Sequence, residues 1–186
     1  KERDIDLLFV GSLIEVKGPD RFVKIAQVLI DFYTGLKVVI VGEGTMRASM
    51  EAEIKKSDLG EWITFVGYTV DTVDYFQRAK ILVMASRSEG LATAMVEAMA
   101  CGCVPVVSNV GCMTEAALHE RNSLVVEDYS DIDAFIKQIK RLLENDELLK
   151  NLSSNASNFA HNIYSIENQA EIFKQILIKA KFIDEY

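Results

Sequence analysis

What most constrains this chain is a train of short, nearly continuous apolar runs, rich in Val and Ile, separated by stretches with helical spacing. The runs occupy residues 5–10, 37–41, 63–66, 81–84 and 104–107, with a weaker one at 123–126. A strand wet on one face alternates apolar and polar residues. A strand apolar throughout is buried on both faces, as in a parallel sheet. Between the runs, residues 20–32 carry Phe22, Ile25, Ala26 and Leu29 at helical spacing. Residues 45–57 form a polar, amphipathic segment, 72–78 a short one, and 92–100 an almost wholly apolar helix that is expected to be buried. Asp131 caps a helix over 131–143 with Ile132, Phe135, Ile136 and Ile139 on one face. Two more helices follow at 147–160 and 166–182 with no strand between them, so they should lie on the sheet's flank or reach toward a neighbouring domain. This order predicts an α/β fold: a doubly wound, Rossmann-like parallel sheet of about six strands in three layers, α/β/α.

At 186 residues the chain fits one domain, 1–186, large enough to form a core without a disulfide or metal staple. Its net charge of −8 argues against a nucleic-acid binder that works by neutralising phosphates. A small anion is still allowed, because a local Lys and a helix N-terminus can hold one. No apolar run approaches the ~20 residues of a membrane span. The charged opening Lys-Glu-Arg-Asp-Ile-Asp does not read as a signal peptide, and the missing initiator Met points to a piece of a longer protein. Cys101, Cys103 and Cys112 read as reduced, cytosolic thiols. Cys101 and Cys103 flank a helix-to-strand turn and look like small core residues, not partners of His119 in a zinc set. The pairs Asp4/Asp6 and Asp131/Asp133 read as structural, one opening a strand and one capping a helix. No metal site is expected.

In such sheets ligands sit at the carboxyl ends of the strands, so the loops there matter most. The first holds Gly11-Ser12-Leu13 and then Glu15-Val16-Lys17-Gly18-Pro19-Asp20. Gly11 lets backbone approach a ligand, and Lys17 stands beside a helix start. The loop is a phosphate site or a plain loop with a solvated lysine. It lacks the spacing of a P-loop. Gly42-Glu43-Gly44 has no third glycine for a dinucleotide fingerprint and reads as a tight turn. Gly67-Tyr68 either flanks a nucleobase or simply turns the chain.

The most informative loop runs from Ser86 to Ala100. Glu97 falls inside the least polar helix, where an ionised carboxylate without a partner is costly. It is expected to face a ribose diol, or else a structural amide or Arg. Glu89 precedes the helix and is placed at the far end of a ligand. Gly90, Ala92 and Ala94 are small enough to admit a pyrophosphate to the free N–H groups of the first turn. The loop from Ser108 to Glu115 lies on the same face, its role open.

The Glu-x7-Glu pattern from Glu89 to Glu97 runs on into Glu-Ala-Met-Ala-Cys-Gly-Cys-Val-Pro-Val-Val, with Val-Gly-Glu-Gly and Phe-Val-Gly-Tyr upstream in that order. This resembles glycosyltransferase family 4, retaining enzymes of the GT-B fold, over residues 8–126 of their C-terminal domain. The resemblance implies that the chain is the donor-binding half of such an enzyme. It would transfer a sugar from a nucleoside diphosphate sugar to an acceptor hydroxyl in glycan or polysaccharide biosynthesis. Lys17 and Glu89 would be the catalytic groups, Lys17 on the diphosphate and Glu89 on the sugar. Glu97 would hold the ribose. Backbone around Gly90, Leu91, Ala92 and Thr93 would meet phosphates or sugar, with Gly11 and Ser12 below and Gly67 and Tyr68 beside the base. The nucleotide sugar is a substrate and no cofactor is implied. An N-terminal domain absent from this chain would bind the acceptor, a glycan or lipid carrier. The setting implied is the cytoplasm or the cytoplasmic face of a membrane, with peripheral membrane contact through that missing domain. The isolated half is expected to bind donor weakly and transfer nothing.

Several positions depart from the family pattern. Ser12 stands where many members carry Arg, Ala85 where Pro is common, Leu91-Ala92 in place of Phe-Gly, and Cys112-Met113-Thr114-Glu115 in place of Gly-Ile-Pro-Glu. A sugar-nucleotide epimerase of the same fold, or an inert nucleotide- or partner-binding domain, are the alternative readings. A phosphorylase finds no sequence support.

Overall fold

The computed structural model describes residues 2–180. Among these residues six strands form one parallel sheet: β1 (Ile5–Val10), β2 (Val38–Val41), β3 (Ile63–Gly67), β4 (Ala79–Met84), β5 (Val104–Ser108) and β6 (Leu124–Val126). Seven α-helices among the described residues accompany them: α1 (Pro19–Phe32), α2 (Arg47–Lys56), α3 (Thr72–Arg78), α4 (Thr93–Ala100), α5 (Ile132–Leu143), α6 (Asp146–Tyr164) and α7 (Ile166–Lys179). The strand order is β3-β2-β1-β4-β5-β6. The chain winds outward from β1 to β3, crosses back to β4 and winds outward again to β6. β1 therefore pairs on both sides, Leu7 standing opposite Val38 in β2 and Ile81 in β4. The winding reverses between β1 and β4, and their carboxyl ends splay into a crevice there.

Alternation along the buried strands divides the core into two layers. Leu7, Phe9, Val38, Ile40, Ile81, Val83, Val104 and Val106 face Phe22, Ile25 and Leu29 of α1, Ile54 of α2, and Phe135 and Ile139 of α5. Leu8, Val41, Leu82, Met84 and Val107 face Phe76 of α3, Met95 and Met99 of α4, and Ala156 and Ala160 of α6. Burying each large side chain contributes about 1.5–3 kcal/mol. Phe22 is fully buried with its ring centroid 5.6 Å from that of Phe9, which fastens α1 beneath the loop that follows β1.

The expected strands are all present, with ends shifted by two residues at most. α2 starts later than its sequence pattern because the Met46 N–H donates to the Leu13 carbonyl (3.0 Å), tying the entry to the β1 loop. α6 is longer than expected, opened by an Asn145 side chain that accepts from the Leu148 N–H (2.9 Å). It packs against α4, while α7 leans on α6 and buries none of its own residues. The last part of the expected final helix, 181–182, lies outside the described residues. No helix among the described residues is long and apolar enough to cross a membrane.

Candidate functional site

Two loops meet over the β1–β4 crevice. After β1 the chain passes Gly11 and Ser12 into a 3-10 turn, Glu15–Lys17, and reaches α1 through Gly18. Gly18 has φ 69°, and a Cβ there would collide with the Ala85 carbonyl oxygen, so only glycine lets the turn sit against the β4 loop. The Arg21 guanidinium Nε donates to the same Ala85 carbonyl (2.7 Å), and the Arg87 N–H donates to the Val16 carbonyl (2.8 Å). These bonds fix where Lys17 points.

Lys17 Nζ lies 2.6 Å from Glu89 Oε2, joining residues 72 positions apart. The Glu89 side chain is 4% exposed and that of Lys17 32%. The Ser86 hydroxyl donates to Glu89 Oε1 (2.8 Å), and the Ser108 hydroxyl donates to the Ser86 carbonyl (2.7 Å). Both serines are buried. The carboxylate is thus held from two sides, by a cation and by a hydroxyl set on a buried polar relay. Gly111, at φ 56°, brings the β5 loop against the Glu89 backbone from a third side.

A hollow of about 240 Å³ opens over this pair, lined by Gly11, Ser12, Lys17, Ser86, Glu89, Ala92, Thr93 and Ala94 above Phe9, Val10 and Met84. Thr93 and Ala94 begin α4, and Ala92, its N-cap, offers no side-chain acceptor. The first N–H groups of the helix are therefore left for a ligand. Beside it, sharing Gly11 and Ser12, a second hollow of about 280 Å³ is bounded by Val10, Val41, Gly42, Glu43, Tyr68, Thr69 and Thr72. Among the described residues, Lys17 is the one cation lining either hollow. A bigger hollow than either, about 610 Å³, lies away from the crevice beside β6 and α5, where Glu127, Asp128 and Asp131 make it unsuited to an anion.

Of the residues expected at a site, Gly11, Ser12, Lys17, Glu89, Ala92 and Thr93 converge in the first hollow, and Tyr68, 77% exposed, borders the second. Gly67 is buried at the end of β3, where its carbonyl accepts from the Gly42 N–H. Gly90 and Leu91 are exposed on the rim and line neither hollow. Nothing lies within 4 Å of where a Gly90 Cβ would stand. One expectation is corrected. Glu97 is not embedded: it is exposed, and its carboxylate makes no hydrogen bond or ion pair with the described residues. α4 buries only Met95, Ala98 and Met99, a single helical stripe, and Glu97 points off that stripe. Sequence reasoning does not single out Ser86, Ser108 or Gly111 as site residues. The only clue to Ser86 is a polar residue placed soon after an apolar strand.

A model of the family described as "Glycosyl transferases group 1" matches residues 1–159. The chain belongs to the group 1 glycosyl transferases. Within that group it is 30% identical over 174 residues to an uncharacterized glycosyltransferase of Haemophilus influenzae, covering 92% of this chain and 48% of that protein. It is 25% identical to the UDP-Gal:alpha-D-GlcNAc-diphosphoundecaprenol alpha-1,3-galactosyltransferase of Escherichia coli, covering 96% of this chain and 46% of that one. The chain thus spans about half the length of these glycosyl transferases. In three dimensions it resembles the crystallised C-terminal domain of a group 1 glycosyl transferase, LpcC of Francisella tularensis. That match has a TM-score of 0.79 and 23% identity, covering 87% of each chain, which is a likeness of fold.

Proposed function

We propose that this chain is the donor-binding half of a retaining glycosyltransferase of family 4. The enzyme would take a sugar from a nucleoside diphosphate sugar and pass it to a hydroxyl of a growing glycan or lipid-linked acceptor. The observation that carries the reading is the Lys17–Glu89 pair, set in a hollow where β1 and β4 part and floored by the free N-terminus of α4.

In this reading the diphosphate lies between Lys17 and the N–H groups of Thr93 and Ala94. Negative charge grows on its oxygens as the anomeric bond breaks, and donors already aimed there lower the barrier. These groups supply the positive charge, so the scheme needs neither metal ion nor cofactor. Ser12, in place of a second cation, adds a hydroxyl only and leaves Lys17 the principal charge. Glu89 accepts from the sugar's hydroxyls. The nucleobase fills the second hollow beside Gly67 and Tyr68. Glu97, on the outer face of α4, takes the ribose diol at the rim, with no desolvation cost to overcome. Gly90 and Leu91 contribute backbone on the same rim.

The acceptor is assigned to a further domain of the longer protein, to which this one docks. The name of the E. coli relative, with its UDP-linked donor and diphosphoundecaprenol acceptor, supports a lipid-linked substrate. Calorimetric titration with UDP-, GDP- and ADP-sugars tests the reading. One of them is expected to bind, and Lys17→Ala to weaken it about tenfold or more. Absence of binding across the set, in a folded chain, would refute the reading. By the same reasoning the chain alone transfers no sugar. Turnover without the second domain would contradict that part.

A further inference from the structure

We propose that the Lys17–Glu89 pair is a latch that weakens the site's hold on a bare nucleoside diphosphate, and that a sugar hydroxyl is what releases it. The inference rests on the donor-site reading above.

The charge inventory of the hollow is short. Lys17 is the one cation lining it among the described residues, and it is already spent on Glu89 at 2.6 Å. An arriving diphosphate therefore meets a neutral pair, with the negative end of that pair buried in the wall. To use Lys17 at full strength it must draw Nζ away. Glu89 cannot follow: its side chain is 4% exposed, Oε1 is fixed by the Ser86 hydroxyl, and its backbone is pinned against Gly111. Losing Lys17 would leave Oε2 buried without a donor and beside a new anion, a state that protein interiors penalise strongly.

A sugar-bearing nucleotide changes the sum. A ring hydroxyl placed at Glu89 donates to Oε2 as Lys17 leaves, so the cation moves to the diphosphate and the carboxylate stays satisfied. The same exchange runs backward after transfer. Once the sugar has gone, Oε2 reclaims Lys17, and the remaining nucleoside diphosphate loses its principal counter-charge. The pair thereby favours loading of the intact donor and release of the spent nucleotide, with no moving loop required.

The test is calorimetric titration of the chain with UDP, GDP and ADP and with the glucose conjugate of each, in wild type, Glu89→Gln and Glu89→Ala. Circular dichroism and unfolding midpoints confirm the fold. The latch predicts that removing the charge at Glu89 tightens binding of the bare diphosphate about tenfold, and fails to tighten the sugar conjugate. If both folded variants bind the bare diphosphate no better than wild type does, the latch is refuted while the donor site stands. If wild type binds neither diphosphates nor conjugates, the donor reading itself falls and takes the latch with it.

Discussion

Replacing Gly111 with Ala should damage the site more than its position, outside the hollow, would suggest. Gly111 has φ 56°, in the left-handed region, where a residue with a Cβ costs about 1–2 kcal/mol. The added Cβ would also stand 2.9 Å from the Glu89 carbonyl carbon and nearer still to its oxygen, closer than real Cβ atoms are found. The obstacle is backbone, which cannot rotate aside, so the β5 loop or the Glu89 loop must retreat at roughly 1–3 kcal/mol, the usual range for overpacking. Together these give a destabilisation of about 2–5 kcal/mol. The strain falls on the segment that carries the Ser86–Glu89 bond. Urea unfolding should show the loss of stability. Titration with the nucleotide sugar that binds wild type should show weaker binding even at temperatures where the variant is fully folded. A Gly111→Ala chain as stable as wild type, with unchanged affinity, would refute the reasoning, whereas Gly60→Ala, with open space around its Cβ, serves as the control.

Three further outcomes are expected. Gly90→Ala meets no neighbour within 4 Å and should change stability by less than about 0.5 kcal/mol, yet weaken nucleotide-sugar binding if a ligand uses that space; equal loss of both would contradict this. Asp4 accepts two bonds from the Arg78 guanidinium (2.9 and 2.8 Å), which hold its carboxyl down from 3.8 to about 2. Its folded value lies below its unfolded one, so its stabilising contribution is complete above about pH 4 and fades as pH falls toward 2. The gap in unfolding midpoint between wild type and Asp4→Asn should close over that interval, and a constant gap would count against the pairing. Burial pushes the Cys103 thiol up to about 12, while Cys112 is exposed and Cys101 half-buried. Iodoacetamide followed by mass spectrometry should therefore label Cys112 first, Cys101 slowly and Cys103 only after unfolding.

Much of this architecture is written in the chain locally. Val38–Val41 and residues 81–84 of β4 are apolar on both faces because both faces are covered, and that shows in sequence without knowing by what. Strand order does not show, because nothing in β1 or β4 announces that the two are neighbours. Lys17 and Glu89 are each legible as chemistry-bearing residues, but their meeting depends on the crossover that sets β4 beside β1. Glu97 misleads for a definable reason. α4 reads as uniformly greasy because Val96 and Ala100 are only partly covered, so hydrophobicity alone does not tell its buried stripe from its outer face. Ser86 and Ser108 escape notice because serine is common in loops. Their importance lies in burial and in a hydrogen bond across 22 positions, neither of which has a local signature.

The proposed donor site puts a nucleoside diphosphate sugar in the crevice between the ends of β1 and β4. A crystal structure of the chain with the nucleotide sugar it binds tests this most directly. The expected result is the diphosphate between Lys17 Nζ and the first N–H groups of α4, with the sugar against Glu89. Density for the ligand in the acidic hollow beside β6, with the Lys17–Glu89 pair still closed, would contradict it.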